Sequence, residues 1–208
     1  MTIGLTIGLT SGLTIGLTGG SGSGKTTLCR AARDMGMFVI DADKVGHGVL
    51  LKGRPAYDET VAAFGDGILG SDGEIDRRRL GVIVFADPEK LALLSGITHK
   101  EITREIEGML VARGGDAVID AAALIESGLG GRCDYVVAVV ADDALRRARI
   151  VARDGLTPQA AQTRIAAQKS AAFYRSNAHY VIENNGDEAA FYDRGSELFR
   201  RLVGREKD

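Results

Sequence analysis

The sequence predicts an α/β fold in which a central parallel sheet lies between layers of helices. Three observations support this prediction. A glycine-rich stretch, Gly19–Thr26, stands between an apolar strand pattern and a helical pattern. Further short apolar runs recur along the chain and alternate with helical patterns. The 208 residues, 45% of them hydrophobic, are enough for one such domain with an insertion.

The glycine-rich stretch fits the phosphate-binding pattern G-x-x-x-x-G-K-[ST] without a mismatch. Its glycines allow a tight turn, so that successive backbone N–H groups line a concavity that favours phosphate oxygens. Lys25 would reach the β- and γ-phosphates of a nucleotide, and the Thr26 hydroxyl would be a Mg²⁺ ligand. An ordinary glycine-rich turn is the alternative interpretation. The complete motif in this context favours nucleotide binding.

The chain begins with a short tandem repeat, since residues 3–18 are IGLT-IGLT-SGLT-IGLT. Ile and Leu occupy odd-numbered positions and Gly and Thr even-numbered ones, an alternation typical of a strand. Only the last copy adjoins Gly19, and an earlier copy would lengthen the loop. We therefore predict an extension over residues 1–14 and a single domain over 15–208. A chain that begins near Thr14 is expected to keep activity.

The run Met37–Ile40 predicts a buried parallel strand, and it is followed directly by Asp41 and Asp43. Open α/β sheets bind their ligands at the carboxyl ends of such strands. Helix capping is a common role for an aspartate in this place. We expect one of the two aspartates to cap a helix or to have a positioning role, and the other to contact an acceptor hydroxyl.

Residues 45–112 contain no comparable strand pattern and predict a mainly helical insertion, interrupted by glycine-rich turns and by Asp87-Pro88. The cluster Arg77–Arg79 lies within it. On composition, this cluster is a solvated helix start. A phosphate-binding role is the minority interpretation.

Two later runs predict further parallel strands. Ala117–Asp120 ends in a carboxylate, as does the second signature of NTPases, in which the aspartate holds Mg²⁺. Tyr135–Val140 is continuously apolar and predicts a central strand. Val181-Ile182 predicts the last strand. The apolar stripe of the C-terminal helix, which includes Leu198 and Leu202, is expected to belong to the core.

The helix over residues 144–153 is rich in arginine. Arg149 and Arg153 are spaced i, i+4 and share one face, which favours joint contact with phosphate. Arg146 and Arg147 are expected to lie on a solvated surface.

Composition excludes several classes of protein. A net charge of −2 provides no global field for nucleic acid or an anionic membrane, and no apolar run approaches the length of a spanning helix. Cys29 and Cys133 are the only cysteines and have no metal-ligand spacing, while the three histidines are scattered. We therefore expect a cytoplasmic protein with reduced thiols, and neither nucleic acid nor membrane as a partner.

Several ordered stretches of the chain, from Ile15 onward, resemble the dephospho-coenzyme A (dephospho-CoA) kinase family. They are GLTGGSGSGKTT (Gly16–Thr27), VIDAD (Val39–Asp43), GEIDRRRL (Gly73–Leu80), VFADPE (Val84–Glu89), ARDGLT (Ala152–Thr157), the Ala167-Gln168 pair and VIENNG (Val181–Gly186). The glycine motif alone is shared with many kinases. The ordered set of the others is much more specific.

This resemblance implies a three-layer P-loop NTPase fold with a helical insertion, about residues 45–112, that binds the coenzyme A precursor. It also implies a lid over about residues 153–175. The implied enzyme is a phosphotransferase with an alcohol acceptor, which transfers the γ-phosphate of ATP to the ribose 3′-hydroxyl of dephospho-CoA with Mg²⁺. We expect a monomer or a small homo-oligomer.

The resemblance also implies roles for individual residues. The catalytic residues are Asp43, which acts as the base, Lys25 and Arg153. ATP contacts are expected from Gly20, Gly22, Ser23, Gly24, Lys25, Thr26, Thr27, Arg149 and Asn185. Substrate contacts are expected from Asp43, Arg77, His99 and Glu126, and Mg²⁺ contacts from Thr26 and Asp120.

The chain departs from the family pattern at a few places, among them Ser21, Lys100 and Ala122-Ala123. All phosphate-handling groups are retained. A kinase for another small metabolite or a nucleoside monophosphate would share the loop and the lid but not the DAD and GEIDR stretches. A non-catalytic nucleotide-binding relative is the other alternative. The chain retains Lys25, Thr26, Asp43, Asp120 and Arg153, which speaks against this alternative, because a protein without activity has no physical need for all five.

Overall fold

The structure is a computed structural model that describes residues 12–205. Most of the predicted extension, residues 1–11, lies outside the described residues. The chain divides into two compact units. The sheet unit consists of the chain up to Asp41 and from Leu110 onward, and the helical unit consists of Ala42–Met109.

The strands of the described part are β1 (Thr14–Thr18), β2 (Phe38–Asp41), β3 (Ala117–Asp120), β4 (Tyr135–Val140) and β5 (Tyr180–Glu183). The helices are α1 (Lys25–Asp34), α2 (Ala42–Gly48), α3 (Pro55–Phe64), α4 (Arg77–Phe85), α5 (Pro88–Arg113), α6 (Asp143–Asp154), α7 (Pro158–Ala166), α8 (Ala171–Asn177) and α9 (Glu188–Arg205).

The sheet unit contains one five-stranded sheet in the order β2-β3-β1-β4-β5, and every neighbouring pair is parallel. The predicted apolar runs form these strands with boundary shifts of one residue at most. Because β1 lies in the centre, its last residue, Thr18, delivers the glycine-rich loop to the middle of the carboxyl edge. Asp120 is in register with both Leu17 of β1 and Asp41 of β2.

The core of the sheet unit is formed where α1 and α9 pack together against the sheet. Leu28, Phe191, Phe199 and Leu202 are completely buried there. Leu198 is also buried, so the predicted apolar stripe of the C-terminal helix is confirmed as core.

The fold includes residues on the extension side of the predicted boundary after residue 14. Leu13 is completely buried in the core. Its carbonyl accepts from Ala117 N–H at 2.7 Å, and its own N–H donates to Asp116 Oδ1 at 2.9 Å. A chain that begins at Thr14 would therefore lose a core side chain and the backbone hydrogen bonds that extend β1.

The helical unit contains α2, α3, α4 and most of α5, together with a short 3₁₀ helix at Asp66–Ile68. Within this unit the only β-pairing among described residues outside a strand is the isolated Leu69–Ile75 bridge, as the mainly helical prediction requires. Asp76 caps α4, because its carboxylate accepts from the N–H groups of Arg78 and Arg79 at 2.9 and 3.1 Å. Among residues 12–205, no helix has the length and apolar character needed to cross a bilayer.

Candidate active site

The candidate site begins at the phosphate loop, Gly19–Thr26, between β1 and α1. The loop turns through positive φ angles at Gly22 and Gly24, which are +74° and +107°. A Cβ atom on Gly24 would lie 2.1 Å from Asn184 Nδ2, and one on Gly20 would lie 2.3 Å from Arg146 Nη2. The glycines are therefore required both by backbone conformation and by side chains packed against the outside of the loop.

Arg146 is one of these side chains, and its position corrects the prediction of a solvated surface residue. Only 6% of Arg146 is exposed. Its Nε donates to the Ser21 carbonyl at 3.0 Å, Nη1 to Asp143 Oδ1 at 2.9 Å and Nη2 to Gln168 Oε1 at 2.7 Å. Arg147, predicted in the same way, is indeed exposed. Arg146 faces inward because it lies one turn from the fully buried Ile150.

Gln168, which follows α7, holds the same loop residue. Its Oε1 accepts from the Ser21 N–H at 3.0 Å, and its Nε2 donates to Ser21 Oγ at 3.1 Å. Every polar group of Ser21 thus has a protein partner, including its carbonyl on Arg146. The predicted lid segment is therefore connected to the phosphate loop by side-chain hydrogen bonds.

Arg149 and Asn184 hold the next two carbonyls of the loop. Arg149 donates to the Gly22 carbonyl at 3.3 Å and to the Asn184 carbonyl at 3.0 Å. Asn184, only 5% exposed, donates from Nδ2 to the Ser23 carbonyl at 2.8 Å. Asn185, which the sequence predicts as an ATP contact, is exposed and accepts from Asp142 N–H at 2.9 Å. Asn184 is the residue of this pair that contacts the loop.

With three carbonyls bound in this way, the amides at the end of the loop remain for a ligand. Within residues 12–205, the N–H groups of Gly24, Lys25 and Thr26 donate to no acceptor. They belong to the last loop residue and the first turn of α1, where the helix dipole favours an anion. The loop therefore presents unsatisfied donors at a helix N-terminus, the arrangement that binds phosphate.

Lys25 and Asp120 lie beside these donors. Lys25 Nζ donates to the Gly19 carbonyl at 3.2 Å and is 3.8 Å from Asp120 Oδ1. Both side chains are largely buried, with 17% and 24% exposed. The β3 register brings Asp120 to this point, as the sequence predicted for a strand ending in a carboxylate.

Cys29 is a neighbour of Asp120 that the sequence patterns did not identify. Its Sγ donates to Asp120 Oδ2 at 3.4 Å, and its side chain is 3% exposed. Burial, and then the Asp120 charge, raise the pKa of Cys29 to about 12. Cys29 is therefore a neutral thiol that donates to the carboxylate at physiological pH.

Arg153, predicted to act together with Arg149, has a partner of its own in this structure. Its guanidinium is exposed and donates to both carboxylate oxygens of Asp154, at 2.7 and 3.0 Å. Arg164 of α7 donates to the same carboxylate at 2.5 Å. The hydrogen bonds from Arg153, and then those from Arg164, lower the pKa of Asp154.

The remaining predicted residues lie in both units. In the sheet unit, Thr27 Oγ1 donates to Glu188 at 3.4 Å, and Glu126 is exposed beyond β3. In the helical unit, Asp43 is exposed in the first turn of α2, and His99 is half-buried in α5. Arg77 Nη2 donates to the His47 carbonyl at 3.0 Å.

Comparison with known proteins gives the family. The family described as dephospho-CoA kinase matches residues 13–190. The chain belongs to the dephospho-CoA kinase family. A dephospho-CoA kinase of Geobacillus kaustophilus is 43% identical over 190 residues, which are 89% of each chain. Members of this family are kinases that transfer phosphate to an alcohol group of dephospho-CoA, with ATP as the implied co-substrate.

Solved structures agree with the fold. The crystal structure of TT1252 from Thermus thermophilus matches with a TM-score of 0.80 and 29% identity, over 92% of this chain and 98% of that one. A shikimate kinase from Acinetobacter baumannii matches with a TM-score of 0.52 and 18% identity, over 98% and 99%. The second likeness concerns the fold alone. The predicted P-loop kinase fold is thus confirmed, and so is the predicted family.

Proposed function

We propose that this chain transfers the γ-phosphoryl group of ATP to the ribose 3′-hydroxyl of dephospho-CoA, with the roles given below. The observation that best supports the proposal is the phosphate loop, in which Arg146, Arg149 and Asn184 bind three carbonyls while the N–H groups of its last residues, Gly24–Thr26, remain available. Phosphoryl transfer depends mainly on alignment and charge neutralisation. A loop fixed from outside provides the alignment before the nucleotide arrives.

ATP binding is assigned to the loop. The N–H groups of Gly24, Lys25 and Thr26 would bind the β- and γ-phosphates, next to the proposed contacts at Gly22 and Ser23. The Lys25 ammonium group would exchange the Gly19 carbonyl for phosphate oxygens. Its present partners keep the ammonium group next to the loop. Gly20, Thr26, Thr27, Arg149 and Asn185 complete the proposed ATP contacts.

The residues present also suit Mg²⁺. This ion uses few protein oxygens and takes its other ligands from phosphate and water. The exposed Thr26 hydroxyl and the Asp120 carboxylate are oxygen donors of that kind, and we assign the ion to them, with Asp120 acting through water. Within residues 12–205 no group of three or more His, Cys, Asp or Glu side chains could hold a metal ion. When bound, Mg²⁺ would neutralise charge on the phosphates.

Asp43 is the proposed base. It lies two residues beyond Asp41, the last residue of β2, and its carboxylate is exposed in the first turn of α2. It would orient the 3′-hydroxyl and accept its proton as the oxygen attacks the γ-phosphorus. Arg153 would leave Asp154 and contact the transferring phosphoryl group. Arg77, His99 and Glu126 remain proposed substrate contacts.

The proposed compartment is the cytoplasm. Cys29 and Cys133 are both free thiols, and Cys29 is buried. Unpaired cysteines are usual where thioredoxin and glutathione keep thiols reduced.

A coupled assay of ADP release, with dephospho-CoA, shikimate, gluconate and AMP offered in parallel, tests the proposed function. ADP release is expected with dephospho-CoA, together with formation of coenzyme A identified by mass. Lys25→Ala is the control, because it should lose both ATP affinity and rate. Release that depends on shikimate, gluconate or AMP but not on dephospho-CoA would contradict the proposal.

A further inference from the structure

α4 has an unusual exposed face. Leu80 and Val84 point into the helical unit and are 3% and 2% exposed. On the opposite side, Val82 and Phe85 are 71% and 80% exposed, the highest values for large apolar side chains among residues 12–205. A surface helix normally carries polar residues on its outer face. The two exposed apolar side chains therefore need a ligand or partner to explain them.

Arg78 extends this face toward the N-terminus of the helix. Arg78, Val82 and Phe85 are spaced i, i+4 and i+7, so they form one stripe about 10 Å long. The Phe85 ring lies next to Gly81, where a Cβ atom would be 3.4 Å from its Cε2. The stripe thus has a cation at one end and an apolar platform at the other.

The cation of the stripe is available for a ligand, unlike its neighbours. Arg77 donates to the His47 carbonyl, and Arg79 donates to the Leu69 carbonyl and pairs with Asp76. The Arg78 guanidinium forms neither a hydrogen bond nor an ion pair with any described residue. The first amides of α4 are occupied by the Asp76 cap. An anion at this end would therefore be bound by the Arg78 side chain rather than by the helix N-terminus.

We infer that this stripe, Arg78–Val82–Phe85, binds the diphosphate-pantetheine tail of dephospho-CoA, an inference that rests on the proposed function. In that molecule a diphosphate is followed by a long chain of methyl, methylene and amide groups. An anion followed by an apolar chain matches a guanidinium followed by two apolar side chains. The diphosphate contacts Arg78, and the gem-dimethyl and methylene groups lie across Val82 and Phe85.

The test measures which part of the substrate each variant loses. Phe85→Ser and Val82→Ser should each raise KM for dephospho-CoA roughly ten-fold, the loss expected when most of an apolar side-chain contact is removed. Arg78→Ala should raise it about three- to ten-fold, with a smaller effect at high salt. KM for ATP and the melting temperature should not change. Val111→Ser, 57% exposed in α5, and Arg147→Ala are the matched controls.

Two fragments of the substrate sharpen the test. 4′-Phosphopantetheine should inhibit the unmodified chain and lose potency against the Phe85→Ser variant. AMP, which has no tail, should inhibit both proteins equally. Unchanged KM and unchanged phosphopantetheine inhibition in all three stripe variants would overturn the inference. A variant that instead changes the sedimenting mass, with KM unchanged, would assign the stripe to a second copy of the chain and equally overturn it.

Failure of this inference can be distinguished from failure of the proposed function. If the unmodified chain releases no ADP with dephospho-CoA, the proposed function has failed and the stripe loses its ligand. If the unmodified chain turns over dephospho-CoA and the stripe variants behave like the controls, only the stripe assignment is wrong.

Discussion

Replacing Arg146 by alanine tests whether the phosphate loop is held from outside. The change removes the donors to the Ser21 carbonyl, Gln168 Oε1 and Asp143. Asp143 is 64% exposed and can be hydrated by water instead, so the loss of its hydrogen bond from Arg146 should cost little stability. Gln168 Oε1 keeps the Ser21 N–H as a donor, so the Ser21 carbonyl is the acceptor that loses its partner. It lies beside a side chain that is 6% exposed, and a buried acceptor without a partner costs about 1–3 kcal/mol.

We therefore expect Arg146→Ala to lower the free energy of unfolding by about 1–3 kcal/mol. The desolvation cost of the buried guanidinium disappears with the side chain and offsets part of the loss. For a chain of this size, the melting temperature should fall by about 2–12 °C. KM for ATP should rise roughly ten-fold, because the loop amides lose their fixed orientation. KM for dephospho-CoA should not change.

The neighbouring arginine provides the matched control. Arg147→Ala removes the same charge from the same helix at an exposed position, where a change within about 0.5 kcal/mol is expected. Calorimetry gives the melting temperatures, and the coupled ADP assay gives both KM values. If Arg146→Ala has the same melting temperature and the same KM for ATP as Arg147→Ala, the loop is not held by this side chain and the reasoning is wrong.

Three further predictions concern single residues. Asp43→Asn should lower kcat by about 10²–10³-fold with KM for ATP nearly unchanged, as measured by ADP release; near-normal turnover would exclude Asp43 as the base. Leu13→Ala should lower the free energy of unfolding in urea by about 2–5 kcal/mol, since Leu13 is completely buried. An unchanged free energy of unfolding would show that Leu13 belongs to the extension and not to the core. The pKa of Cys29 is about 12 in the folded state and about 9 unfolded, so its neutral thiol stabilises the fold fully below pH 9 and loses this contribution as the pH rises toward 12. Cys29→Ser should reduce that alkaline loss of melting temperature, and an unchanged pH profile would contradict the assignment.

The strands and the loop could be predicted because each depends on a local pattern. Ala117–Asp120 and Tyr135–Val140 are apolar runs of strand length, and both form strands with those bounds. The carboxylate at Asp120 reaches the loop because parallel strands align their carboxyl ends. The family was also within reach of the sequence, since an ordered set of short stretches is far more specific than a single motif.

Two loop contacts were missed because which face a residue occupies depends on its neighbours. Arg146 and Arg147 are the same residue type and are adjacent in sequence. They differ in that Arg146 lies one helical turn before buried Ile150 and so shares its inward face. Similarly, Asn184 lies two residues beyond buried Ile182 and continues the inward side of β5, which leaves Asn185 outward. Both signals are periodicities that were present in the sequence. The bond from Cys29 to Asp120 could not be predicted, because it joins residues 91 positions apart.

The contacts of Asp154 bear on how Arg153 could reach a phosphoryl group. Arg153 and Arg164 both donate to that carboxylate. If Arg153 were its only partner, moving it would leave the carboxylate without a cation next to a negatively charged nucleotide. Because Arg164 remains, Asp154 keeps a cation when Arg153 turns away, and the exchange replaces one charge-assisted hydrogen bond with another. The second arginine thus lets Arg153 leave Asp154 without leaving that carboxylate unpaired, and this supports the proposed contact between Arg153 and the transferring phosphoryl group.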